Sequence, residues 1–306
     1  PLPLPGKPAN ARLARMKRIL SWTAAILAAA CGGLAAFGWL ASRDAAPPAD
    51  DAEFAVARPE VAPEENAFTY FLAATNLLDE TTNAPWVADF LAGRAPDGAE
   101  LRALATSNSA CFAQVKRGTE CAVCRIPSPP SFFDAEFPYL NPWLKIGRLL
   151  AMRSRQARLD GRWAEAAADA WTVARLGGLV ADHAESMIHY LVGVAIAGEG
   201  FEQILALAAD PAIPAADLRV LAAGLDQLGP YDAGLVRALK VEALCAAELV
   251  AGFVSGRVDW IDLLTFGDVE RDFRKRWLAA VMRSPYFFRP QTTLRAVREK
   301  YRQAIR

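Results

Sequence analysis

From Ile19 to Ala41, ILSWTAAILAAACGGLAAFGWLA, the chain runs 23 positions without a charged residue. As a helix this stretch spans ~34 Å, enough to cross a hydrocarbon core of about 30 Å, and lipid leaves unpaired amides no other partner. The pattern then changes. Residues 42–64 alternate acids, alanines and prolines with no apolar period and predict an extended linker. In NAFTYFLAATNLLDE, Phe68, Phe71, Leu72 and Leu78 return at helical spacing with Thr75 in register. Pro85-Trp86 interrupts that helix, and WVADFLAGR predicts a short second one ending at Gly93. A third is expected from Asp97 toward Ala110, with Leu101, Leu104 and Ala105 on one face. A Cys/Pro-rich loop is expected over 111–142, because its second half carries five prolines between Ile126 and Trp143.

Beyond that loop every segment reads as helix. WLKIGRLLAMRSRQARLDG places Leu144, Ile146, Leu149, Leu150, Met152 and Leu159 near one stripe and stops at Asp160-Gly161. RWAEAAADAWTVARLGG restarts at once, and a further helix is expected from Ala181 to about Ala208. The centre of that helix is almost wholly apolar or small, which predicts the middle of a bundle. Pro214 in a first turn opens another helix, and DAGLVRALKVEALCAAELVAGFVSG makes a long one before Gly256. Two or three shorter helices should fill 260–306. No run alternates like a strand. The expected fold class is all-α: an N-terminal transmembrane helix followed by an irregular helical bundle over 65–306.

Within that bundle, Gly161, Trp163, Ala166 and Ala170, with Leu150 in the preceding helix, fall at spacings that resemble a tetratricopeptide (TPR) helical hairpin over residues 144–176. The resemblance implies a turn glycine that lets two helices approach, an aromatic packed between them and small residues at the contact. No second copy recurs at the 34-residue period of that family. The resemblance therefore implies one TPR-like hairpin inside an irregular bundle, not a superhelical array.

Charge orients the membrane segment. Residues 1–18 carry Lys7, Arg12, Arg15, Lys17 and Arg18 and no acid, whereas Arg43 to Glu80 carries nine acids against Arg43 and Arg58. A basic block before the span and an acidic one after it predict a cytoplasmic 1–18 and an exterior remainder. Trp22 and Trp39 sit near the ends of the span, at headgroup depth. Two other readings stay open: a cleaved signal peptide beginning at Met16-Lys17-Arg18, and a lipoprotein signal in which LAAAC places Cys31 for lipidation. Ala29 and Gly33 form one small-xxx-small pair in the span. The chain is 53% hydrophobic and 22% charged, with a mean hydropathy of +0.13. Arginine far outnumbers lysine and alanine is abundant, a composition of GC-rich bacterial genomes. Together these predict a single-pass protein of a bacterial inner membrane with its main domain in the periplasm.

That compartment decides how the cysteines are read, because exported thiols tend to be oxidised. A disulfide from Cys111 to Cys121 or Cys124 would close a short loop and add roughly 2–3 kcal/mol. The third of these cysteines is then a candidate partner for Cys245. Zinc would need further ligands that the segment lacks, and a thioredoxin-like pair would need a helix N-terminus after a strand.

His183 and His189, the chain's two histidines, lie near Asp182, Glu185 and Tyr190. Glu185 and His189 are four apart and predict an intrahelical hydrogen bond, while the two imidazoles diverge and lack metal-ligand spacing. Asp259 and Asp262 flank Trp260 and read as a solvated face. The tail from Arg271 has eleven basic residues against Asp272 and Glu299, interleaved with Trp277, Tyr286, Phe287, Phe288 and Tyr301. Outside the cytoplasm such a tail would meet anionic lipid, an envelope polymer or a protein, not nucleic acid. No hydrolase, nucleotide or dinucleotide motif is present, so no catalytic, cofactor-binding or metal-binding residues are expected. The expected function is a non-catalytic, membrane-anchored scaffold or interaction subunit of an envelope assembly, held in lipid through 19–41 and docking a protein partner. The alternatives are a tethered hydrolase or thiol enzyme without a recognisable motif, and a lipid- or cell-wall-binding module.

Overall fold

The computed structural model describes Gly32 and residues 43–45, 52–79, 98–128, 136–255 and 289–305. Apart from Gly32, the expected membrane segment 19–41 lies outside these residues, as do the short helix near Trp86, the Asp259/Asp262 pair and the tail up to Phe288. The described chain is all-helical, without a strand: α1 Ala67–Asn76, α2 Gly98–Ser107, α3 Ser109–Thr119, α4 Leu140–Leu159, α5 Trp163–Asp182, α6 Met187–Ala208, α7 Ala215–Leu225, α8 Asp232–Ser255 and α9 Pro290–Ile305. The chain divides into two compact units, residues 1–49 with 249–297 and residues 50–248 with 298–306. In the first, Asp44 caps α9, its carboxylate accepting the backbone N–H of Gln291 at 2.7 Å and of Thr292 at 2.9 Å. An anion at a helix N-terminus satisfies donors the helix itself leaves unpaired.

The second unit holds the main core. Trp143 on α4 is fully buried. Its indole N–H donates to the Phe71 carbonyl at 3.2 Å, and Phe68 and Phe71 meet its ring edge-on. Helices α4 and α5 form an antiparallel hairpin across the 144–176 region, turning at Gly161, whose φ of +73° favours glycine. Arg153 and Asp169 lock the pair with two hydrogen bonds of 2.6 and 2.5 Å, and the Ser154 hydroxyl donates to the Ala166 carbonyl at 2.7 Å. Both Ser154 and Asp169 are buried, so each needs that partner.

Helix α6 packs backbone to backbone on α5. Gly177, Ala181 and Ala174 on α5 face Ala197, Gly193 and Gly200 on α6, and a Cβ placed on Gly177 would stand 2.2 Å from the Ala197 nitrogen. Small residues on both sides let two backbones touch. The helix expected to run unbroken from Ala181 is interrupted instead: α5 continues to Asp182, and α6 begins at Met187 after a four-residue joint.

Three sequence expectations need correction here. The loop expected over 111–142 is partly helix, since Cys111, Phe112, Val115 and Gly118 are buried on α3 and the irregular chain starts only at Glu120. The expected disulfide is absent, and Cys111, Cys121, Cys124 and Cys245 are all free thiols. For the Cys111–Cys121 pairing the helix itself is the reason. Ten residues at ~1.5 Å rise separate Cys111 from Cys121 by roughly 15 Å, twice what a disulfide spans. The segment is held by other means. The Asn66 side chain accepts the Arg125 N–H at 2.7 Å and donates to the Arg125 carbonyl at 3.0 Å, while Cys124 and Ile126 are buried. The expected spacer 42–64 is likewise docked in part, for Phe54 is only 2% exposed.

Candidate functional site

The joint between α5 and α6 gathers the residues that the sequence singled out. Leu179 offers its carbonyl near the end of α5, and the His183 Nδ1 lies 3.2 Å from that oxygen. Ser186 then caps α6, its hydroxyl accepting the His189 N–H at 3.4 Å. This capping turn points Glu185 and His189 in different directions. The intrahelical hydrogen bond expected between them does not form. Glu185 precedes the helix, and its carboxylate is taken by other partners.

Those partners are three arginines and a serine from three separate segments. Arg58 donates Nε and Nη2 to Oε2 at 3.0 and 2.8 Å, and the Ser128 hydroxyl donates to the same oxygen at 3.1 Å. Arg125 and Arg237 each donate an Nη1 to Oε1, at 3.0 and 3.1 Å. Glu185 is 1% exposed, and every hydrogen bond its carboxylate accepts comes from these four side chains. Arg58 comes from the expected linker, Arg125 from the loop after the CxxC and Arg237 from α8. One carboxylate thus ties all three segments to the α5–α6 joint. Arg237 also donates to the Ala57 carbonyl at 3.3 Å.

His189 is wholly buried. Its Nδ1 lies 2.6 Å from the Ser186 hydroxyl, its Nε2 lies 2.9 Å from the Tyr139 hydroxyl, and Phe137 meets the ring edge-on at 4.5 Å between centroids. Desolvation lowers its pKa to about 4, against a smaller opposing pull from Glu185. The unfolded imidazole titrates near 6.5, so the unfolded chain takes up this proton first as the pH falls. Stability is therefore full above about 6.5 and is lost down to about 4, by ~2–3 kcal/mol. His183 shifts the same way through desolvation. Urea unfolding from pH 7 to 4 should show this loss, and His189→Gln should flatten the pH slope even if it lowers stability at pH 7.

The thiols offer little reactivity. Burial pushes the Cys111 pKa up to about 12 and raises that of Cys124 further, and desolvation also raises Cys121. The CxxC follows the C-terminal end of α3, where the helix dipole disfavours a thiolate. Among the described residues no group of three or more His, Cys, Asp or Glu is placed to hold a metal ion. Two clefts open elsewhere. One of about 560 Å³ lies between Glu60, Glu64, Tyr70, Arg117 and Cys121, and one of about 600 Å³ lies between α3, α5 and α7 against Trp171 and Val220. His189 and Glu185 line neither.

Glu185 and His189 stand out in the sequence, whereas Arg58 counts only as a charge in the acidic stretch and Arg125, Arg237, Ser128 and Tyr139 do not stand out. Those partners stand 50 to 127 residues away along the chain, beyond any local pattern. No protein family, no curated protein and no solved structure matches the chain.

Proposed function

We propose that this protein is a non-catalytic, membrane-anchored scaffold: a helical interaction domain, including the TPR-like hairpin, tethered by residues 19–41 in a bacterial inner membrane and facing the periplasm. One observation carries the reading. Helix α6 packs its glycine face on α5 yet leaves a stripe of large apolar side chains outside, with Ile188 49%, Leu191 58% and Leu205 68% exposed. Met187–Ala208 is also the one described helix long and apolar enough to cross a membrane, with 33% of its apolar window buried. An apolar row on a helix fixed by its other face offers a partner surface already ordered before binding. The polar groups at the α5–α6 joint, by contrast, are satisfied by one another. A hydrolytic reading would need Ser186 and His189 open to substrate, and they are buried with the serine engaged as a helix cap.

A photo-crosslinker at Leu191 or Leu205 in native membranes should yield discrete higher-mass adducts. The same probe at Gln156, on the far end of the hairpin, should not. If all three sites give only the monomer, the scaffold reading fails.

A further inference from the structure

Three guanidinium groups converge on one carboxylate at the α5–α6 joint, and the charges do not balance. Arg58, Arg125 and Arg237 bring three positive charges against the single negative charge of Glu185. Both oxygens of that carboxylate are saturated, Oε2 by three donors and Oε1 by two. It can take no more of the excess. Each guanidinium sits within hydrogen-bond range of the same small group, so the three lie within roughly 8 Å of one another. Glu185 fills the inner side, and the arginine side chains remain 35%, 23% and 23% exposed on the outer one. Arg58 Nη1 and Arg125 Nε and Nη2 make no hydrogen bond within the fold.

We propose that the outer edges of Arg58, Arg125 and Arg237 bind a phosphate dianion, free or as a monoester, that completes the charge of this cluster. An excess of two matches a phosphate monoester, which carries about −1.5 to −2 near neutral pH. A lone carboxylate would cancel only half of it. Guanidinium forks match phosphate oxygens two at a time, and partial burial strengthens such bonds. The surroundings agree. Desolvation lowers the Arg125 pKa, the neighbouring Arg58 and Arg237 charges lower it further, and only Glu185 opposes them. His183 feels Arg237, Arg175 and Arg125 together, and the Arg175 charge is shared with Asp182. The site rests on side chains alone and stands whether or not the scaffold reading holds.

The test is a titration of the full chain in mild detergent with inorganic phosphate, and separately with glycerol 3-phosphate, at constant ionic strength set with chloride. Tm should rise with the logarithm of the phosphate concentration, by about 3–6 °C at ten times the dissociation constant. Acetate at the same strength should give no such rise. Response to phosphate alone assigns the site to the free ion, and response to both assigns it to monoesters as well. Arg58→Gln and Arg125→Gln should each weaken phosphate binding about tenfold, read by calorimetry at a temperature where both variants are folded. Arg162→Gln, which removes an arginine paired with Asp160 outside the cluster, should bind as the parent does. A rise no larger than in chloride, or full binding retained by both cluster variants, overturns the site.

Discussion

Glu185→Gln is expected to destabilise the folded domain by about 3 kcal/mol, a large fraction of the stability of any single domain. The substitution barely changes shape, so the loss is electrostatic. Glutamine offers one acceptor oxygen where the carboxylate gives two, and its amide N–H groups would face the guanidiniums of Arg58, Arg125 or Arg237. Three cations would then stand together over a buried neutral group. Partial exposure of the arginines lets water screen some of their repulsion, which keeps the expected value at the low end for a broken buried pair.

The same geometry predicts non-additivity. Arg58→Gln alone removes a pairing from the most exposed of the three arginines and should cost about 1 kcal/mol. Added to Glu185→Gln, it should cost nothing or recover stability, because it removes one of the surplus cations. A cycle of urea denaturations at unchanged m value measures this, and simple additivity would mean the cluster does not act as a unit. Limited proteolysis should also reach the 52–62 and 120–128 segments sooner in Glu185→Gln, since Arg58 and Arg125 tether them to the joint.

Much of this architecture was legible along the chain, and the failures have specific causes. Helical periodicity located α1, α4, α7 and α8 well, and the Asp160-Gly161 stop and Trp163 restart located the hairpin turn. Arg153 and Ser154, which fit no apolar pattern, make sense only across that turn, where Asp169 and the Ala166 carbonyl receive them. Helix α3 was hidden because its buried positions include a cysteine and a glycine. Gly118 is there for contact, since a Cβ would stand 2.4 Å from the Phe71 ring. The cysteines invited a covalent explanation for a loop that Asn66 holds by hydrogen bonds. The arginine cluster was out of reach for a different reason. Periodicity reports a residue's own helix face, and nothing local to Arg58, Arg125 or Arg237 says that they meet.

The seam between α5 and α6 makes the second large prediction, and a paired substitution separates its causes. Gly177→Ala adds one methyl group that would stand 2.2 Å from the Ala197 nitrogen and 2.5 Å from the Gly193 carbonyl oxygen. Both are backbone atoms inside a helix, so no side chain can rotate away, and the helices themselves must separate. Overpacking of this kind costs about 1–3 kcal/mol and more where the obstacle is rigid, so a loss of ~2–4 kcal/mol is expected. That corresponds to a fall in Tm of roughly 4–16 °C for a domain of this size. Gly198→Ala, on the outer side of α6 with nothing within 4 Å, is the control. There alanine only removes the flexibility of a mid-helix glycine and should stabilise by ~0.5–1 kcal/mol. Opposite signs from the same chemical change would locate the effect in backbone contact. Were Gly177→Ala also stabilising, the helices would be packed through side chains, and the apolar stripe of Ile188, Leu191 and Leu205 would lose the rigid support on which the docking surface rests.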